Sequence, residues 1–169
     1  MHLMTTESIA ELSPEQGLFE LSMLNAERAQ NDFDDIMVEG LNRGIPAEIL
    51  TRLKEIWEAT QEIAGEVIAI GKIIVIEIIN FLKANLTIAA GIAIGAAVSS
   101  LLLMIPIIGP LLLPLSTLLA TLYGAGVGAA MQKGDHSGSP LTAAIALADK
   151  FFELFILIMR AVSQYWKSR

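Results

Sequence analysis

The spacing of apolar residues near the start of this chain is that of an amphipathic α-helix. Ser13, Pro14 and Gln16 fit a capping box with proline at the first helical position. From there to residue 41 apolar side chains recur every 3.6 residues and acidic side chains fill the opposite face. The pattern predicts an acidic amphipathic helix within residues 1–45, ended by Gly40 or Gly44.

A second amphipathic helix is predicted over residues 46–84, because Pro46 suits a first turn and the helical period continues. Its second half is apolar except for a narrow polar stripe that includes Glu66, Lys72 and Glu77. The β-branched residues of segment 72–79 also permit a strand. The spacing of the polar residues favours the helix.

No charged side chain occurs in the 49 residues between Lys83 and Lys133. A helix crosses the ~30 Å hydrocarbon layer in about 20 residues, so this stretch has room for two crossings. Proline lacks an N–H and interrupts a helix, which predicts a hydrophobic two-helix hairpin over residues 85–132, with arms at about 86–105 and 111–131. The predicted turn contains Pro106, Gly109, Pro110 and Pro114.

Small residues recur every four positions on both arms of this hairpin. Such a spacing makes a flat strip along a helix and lets two backbones approach closely. The strips predict close helix packing that joins hairpins into a homo-oligomer, through Gly91, Gly95, Ser99, Ala120, Gly124 and Gly128.

A polar loop is predicted at residues 133–140, followed by a C-terminal amphipathic or interfacial helix over 141–169. Its polar stripe includes Asp149, Glu153 and Arg160. Aromatic rings followed by cations are typical of a headgroup anchor, and this helix ends with Tyr165, Trp166 and Lys167.

Charge is distributed unevenly along the chain. The net charge is −7, and residues 1–50 alone carry ten acidic and two basic side chains. An acidic N-terminal helix argues against a nucleic-acid partner and suits a protein partner. The N-terminus has no signal-peptide pattern, and lysines lie near the hairpin mouth, so we expect a membrane protein with both termini in the cytoplasm.

Catalytic chemistry has little support in the sequence. Cysteine is absent, and the two histidines, His2 and His136, lie at a terminus and in a Gly/Ser loop. Glycine-rich residues 124–133 match neither a dinucleotide fingerprint nor a phosphate loop. We therefore expect no enzyme activity, no cofactor and no metal.

The sequence predicts an all-α fold in which a membrane-embedded helical hairpin is flanked by long amphipathic helices. Charges in apolar helices must face water, lipid headgroups or one another. They therefore lie outward at the interface, pair with one another, or line a pore in a homo-oligomer. Under the pore hypothesis, the charged residues that line the pore wall are Glu66, Lys72, Glu77, Asp149, Glu153 and Arg160.

Two other functions stay open. The prolines at 106, 110 and 114 resemble, over about ten residues, the proline knot of the oleosins, although their spacing differs and the arms are shorter. That resemblance implies a monotopic hairpin in one leaflet or on a lipid droplet, in a non-conducting, membrane-shaping or scaffolding role.

The order of an amphipathic helix, a glycine-rich hairpin and an amphipathic tail also resembles small secreted pore formers and translocators, at the level of architecture alone. A soluble bundle or oligomer that hides the hairpin is the remaining alternative.

Overall fold

The structure, a computed structural model, describes residues 12–123 and 140–167. Within them the chain is mostly helical with little strand, which confirms the all-α prediction. The elements are α1 (Pro14–Arg28), α2 (Phe33–Asn42), α3 (Ala47–Trp57), β1 (Gln61–Ile63), β2 (Glu66–Ile68), α4 (Ile70–Ala84), α5 (Ala90–Met104), a 3-10 turn (Pro106–Ile108), α6 (Gly109–Tyr123), α7 (Pro140–Phe151) and α8 (Glu153–Lys167).

The predicted N-terminal helix starts where its capping box places it but is two helices, not one. The Ser13 hydroxyl accepts from the Gln16 amide at 3.1 Å, and the Gln16 side chain accepts from the Ser13 amide at 2.9 Å. The prediction of one continuous helix to residue 41 is wrong, because the Asp32 carboxylate caps a new helix by accepting from the Asp34 amide. Phe19 and Met23, two of the apolar residues that recur at the helical spacing, are exposed.

The predicted long helix over 46–84 is also wrong in its middle. It ends at Trp57, and a β-hairpin pairs Gln61 with Ile68 before α4 begins. Ala64 and Gly65 both have positive φ, 52° and 84°, which is the geometry of a tight two-residue hairpin turn. Segment 72–79 is helical, as the polar spacing predicted.

The described part of the uncharged stretch, residues 84–123, forms two long helices that meet at the first proline. Helix α5 ends at Met104, the 3-10 turn begins at Pro106, and α6 begins at Gly109. The assignment of Pro110 and Pro114 to the turn is wrong, since both lie inside α6. Pro110 sits in the first turn, where an amide has no partner within the helix, and Pro114 removes a single ladder bond.

The predicted C-terminal helix is two helices that meet at Phe152, so the prediction of one helix is wrong there. The Phe152 amide still bonds to the Ala148 carbonyl at 2.9 Å, and the Ile156 amide bonds to the Phe152 carbonyl at 2.8 Å, so helical hydrogen bonds continue on both sides of the junction. The rings of Phe81, Phe151 and Phe152 cluster there, with centroids 5.2–5.7 Å apart. This cluster fixes the joint of α7 and α8 against the end of α4.

Helix α5 lies at the centre of the bundle. It packs against α4, α6 and most extensively α7, while α3 covers α4 and α6, and α1 lies across α8 and α4. Every residue from Ala93 to Leu101 is buried. Within the described ranges, no helix combines the length and the hydrophobicity that crossing a bilayer requires.

Candidate functional site

Five side-chain hydrogen bonds join one side of α1 to the β-hairpin and α4. We call this contact the α1 seam. The Ser22 hydroxyl donates to Glu66 at 2.8 Å, and the Asn25 amide group donates to the Val67 carbonyl at 3.2 Å and accepts from the Ala69 amide at 2.9 Å. The other two contacts pair Arg28 with Glu77 and Lys72 with the Ala29 carbonyl.

The seam brings together the three charged residues that the sequence placed on one stripe. Glu66 lies on β2, while Lys72 and Glu77 lie on α4, and all three side chains reach α1. Their partners on α1 were missed. The spacing of Ser22, Asn25 and Arg28, three residues apart, was the available signal for a polar side of that helix.

Arg28 and Glu77 form an ion pair in the seam, which is the least exposed of the ion pairs in the described residues. The Arg28 Nη2 lies 3.0 Å from the Glu77 Oε2, and the two side chains are 22% and 14% exposed. Burial raises the pKa of Glu77 above its ordinary value. The hydrogen bond and charge of Arg28 act against that rise, and the nearby negative charge of Glu27 adds to it.

Lys72 closes the C-terminal end of α1. Its ammonium donates to the Ala29 carbonyl at 3.1 Å and lies 5.4 Å from the ring centre of Trp57 on α3. A cation at a helix C-terminus complements the helix dipole, and the ring face adds a cation–π contact. One side chain thus connects α4 to both α1 and α3.

The residues of the second predicted stripe lie elsewhere. Arg160 on α8 donates to the Met104 carbonyl at 3.2 Å, which supplies a cation to the last turn of α5. Asp149 is exposed on α7, and Glu153 begins α8 half-buried. Helix α8 continues through Tyr165, Trp166 and Lys167, whose side chains lie outside the described part of the structure.

The small-residue strip of α5 is turned into the bundle. Gly91 is half-buried, whereas Gly95 and Ser99 are buried. Ala120 lies in α6, and its side chain is outside the described part, as are Gly124 and Gly128 altogether. The described residues of the strip are therefore packed inside the bundle of the same chain.

Three hydroxyl groups are enclosed in the hairpin interior. We call Ser99, Ser100 and Ser116 the buried hydroxyls. All three residues are fully buried, and their Oγ atoms have no hydrogen-bond partner among the described residues. An unpaired buried hydroxyl costs about 1–3 kcal/mol, so the packing of α5 and α6 carries an unfavourable term at each site.

A small pocket lies between α3 and the start of α6. It has a volume of about 210 Å³, an apolar wall that includes Ile56, Pro110 and Pro114, and the Arg52–Glu55 ion pair among its lining residues. In the described ranges no three acidic or imidazole side chains converge to hold a metal ion.

Comparison with protein-family models, with curated proteins and with solved structures gives no match for this chain.

Proposed function

We propose that this protein permeabilises lipid bilayers by delivering the α5–α6 hairpin from the interior of its helical bundle into the membrane, where copies associate into a pore. The observation that carries the proposal is the position of α5. An uncharged helix, buried from Ala93 to Leu101, forms the centre of a bundle whose outer helices carry the charges.

The hairpin is as well suited to lipid as to a protein core. The nine Leu, Ile and Val residues of segment 86–105 contribute about −3 to −5 kcal/mol to insertion on the translocon scale, and the eight of segment 111–131 contribute about as much. No charge in either segment opposes this transfer. The bundle and the bilayer therefore compete for the same apolar surface.

The buried hydroxyls favour the transfer. In the bundle they have no partner among the described residues, whereas serines on membrane helices form hydrogen bonds across helix interfaces. Ser99 also belongs to the strip that begins with Gly91 and Gly95. Association of inserted hairpins along this strip would give its hydroxyl a partner on a second copy.

Insertion requires some refolding next to the hairpin. The 15 residues of α5 span about 22 Å, and the hydrocarbon layer is ~30 Å thick. Adding the connection at 85–89, which is also uncharged, makes a segment of about 20 residues. In the assembled state two charged stripes would surround the pore. One stripe lies on α4 and β2, and the other lies on α7 and α8.

Dye release from liposomes tests the proposal when two matched Thr→Lys variants are compared. Thr117 is exposed on α6 and Thr51 is exposed on α3, so neither substitution disturbs the bundle core. A lysine at the middle of an inserted helix costs about 2.5–3.5 kcal/mol, which lowers the inserted population roughly 50-fold or more. We expect Thr117→Lys to abolish most release and Thr51→Lys to behave like the wild type, with unchanged circular dichroism in both.

Three results would contradict this proposal. Absence of release by the wild type at every protein-to-lipid ratio removes permeabilisation. Equal release by the two lysine variants removes the insertion of α6. Tubulation of liposomes without release, seen by electron microscopy, assigns the protein to the membrane-shaping class instead.

A further inference from the structure

Helix α1 contributes less to the apolar core than the helices it covers. Its buried residues are Gly17 and Leu21, whereas α4 buries ten residues. Leu18 and Leu24 are half-buried against the core. Helix α1 is therefore held by its packing against α8, which is its most extensive contact, and by the seam, whose bonds water can replace at little cost.

The surface beneath α1 is apolar on one side and charged on the other. Gly17 lies so close to α8 that a Cβ built on it would be 2.5 Å from the Ala161 Cβ and 3.1 Å from the Val162 Cγ1. Ile158 and Val162 of α8 are buried in the bundle. On the other side the seam occupies Glu66, Lys72 and Glu77, the charges that a pore wall would present to water.

From these contacts we infer that α1 is an autoinhibitory strap that holds α8 next to α4, and so keeps α4 and α7, the helix that leads into α8, packed on the hairpin; the hairpin leaves the bundle only after α1 detaches. This inference rests on the proposed function. Detachment breaks polar bonds that water replaces, exposes the apolar face of α8, and frees the charged stripe of α4. Each change moves the outer helices toward the amphipathic surface that a membrane-bound state needs.

A reversible disulfide between α1 and α8 tests the strap directly. The 3.1 Å from the Gly17 Cβ position to the Val162 Cγ1 is close to the separation of about 3 Å between the Cβ of one half-cystine and the Sγ of the other. The variant is Gly17→Cys/Ala161→Gly/Val162→Cys, in which the second change relieves the closest contact. The chain has no cysteine of its own, so this disulfide is the only one that forms within it.

Dye release is then measured on the same protein before and after reduction. We expect the oxidised form to release dye about tenfold or more slowly, and reduction to restore the rate. Equal rates in the two forms, with release as fast as the wild type, would overturn the strap and leave the proposed function standing. Absence of release in the reduced form and in the wild type would overturn the proposed function, and the strap with it.

Hydrogen exchange on the unmodified protein gives a second measurement that does not depend on the variant folding. When vesicles are added, we expect the amides of α1 to lose protection before or together with dye release, while those of α2 keep theirs longer. Full protection of α1 in vesicle-bound protein that is releasing dye would overturn the inference.

A gain-of-function variant provides a third test. Arg28→Met/Glu77→Gln removes the ion pair without leaving a buried charge, and we expect faster dye release.

Discussion

The guanidinium of Arg28 meets the carboxylate of Glu77 at 3.0 Å and so joins the last turn of α1 to the middle of α4. Glu77 is the one acidic residue of α4, a helix that is mostly apolar, and most of its side chain is buried. A carboxylate in that position must be paired or protonated. Arg28 supplies the pairing, and burial still raises the pKa of Glu77.

This raised pKa predicts how Glu77 affects stability as pH changes. The folded chain binds the Glu77 proton more tightly than the unfolded chain, so the contribution of Glu77 is fully present below the unfolded value of about 4.3 and is lost as pH rises through the folded pKa. Relative to Glu77→Gln, which does not titrate, the wild type should lose stability over that window. Urea unfolding of both proteins at a series of pH values measures the difference.

The Arg28→Met background supplies the control for this pH dependence. Arg28 lowers the pKa of Glu77, so without it the pKa should rise further and the loss of stability should extend to higher pH. A wild-type protein that gains stability relative to Glu77→Gln between about pH 4 and 8 would contradict the assignment.

Two glycines beside the β-hairpin should respond to alanine for different reasons. A Cβ on Gly71 would collide with the backbone carbonyl of Ile56, where α4 starts against the end of α3. Backbone cannot move aside cheaply, so Gly71→Ala should cost about 3 kcal/mol or more. Gly65 has open space around it but a φ of 84°, so Gly65→Ala should cost only about 1 kcal/mol of backbone strain.

Thermal or urea unfolding of the two variants separates these effects. Near-equal losses of unfolding free energy would show that α4 does not approach α3 as closely as the structure indicates. The comparison also tests the β-hairpin itself, because its turn requires positive φ at residue 65.

Parts of this fold follow from the sequence because they depend on neighbouring residues. The capping box at Ser13 and the helix break at Pro106 are local effects of hydrogen bonding and ring geometry, and both are confirmed. The helical state of segment 72–79 is confirmed as well, because polar spacing outweighed β-branching. Local chemistry was sufficient in these three cases.

Other parts depend on contacts between distant segments, which a single sequence does not show. Residues 58–69 continue a helical polar spacing, yet they turn back as a β-hairpin whose strand β2 bonds to Asn25, more than forty residues earlier. The partner of Glu77 is likewise 49 residues away in sequence. The seam could not be predicted because the charged stripe of α4 is compatible with water, lipid headgroups, a pore wall or a partner helix. The partner became clear only from the packing of α1 against it.

The buried hydroxyls predict a substitution that stabilises the bundle. Ser116 has no hydrogen-bond partner among the described residues, so Ser116→Ala removes the cost of burying its hydroxyl and loses little packing. We expect the free energy of unfolding to rise by about 1 kcal/mol or more. Calorimetry or urea unfolding provides the measurement.

A serine that does have a partner is the matched control. The Ser22 hydroxyl donates to Glu66, so Ser22→Ala should lower the free energy of unfolding by about 0.5–1.5 kcal/mol. Opposite signs for the two Ser→Ala changes support the hydrogen-bond assignments. A destabilised Ser116→Ala variant would mean that its hydroxyl finds a partner.

The small-residue strip predicts how inserted copies associate, and this prediction is tested separately from the folding of the bundle. Gly91 is half-buried at the start of α5, and Ala89, two residues earlier, is exposed just before the helix. If inserted hairpins associate along the strip, a large side chain at position 91 keeps the backbones apart. Chemical cross-linking in liposomes should therefore show weaker oligomer bands for Gly91→Leu and unchanged bands for Ala89→Leu, with the helical content of both variants checked by circular dichroism. Identical ladders from two folded variants would exclude the strip as the oligomer contact, and permeabilisation would then require a different surface of the hairpin.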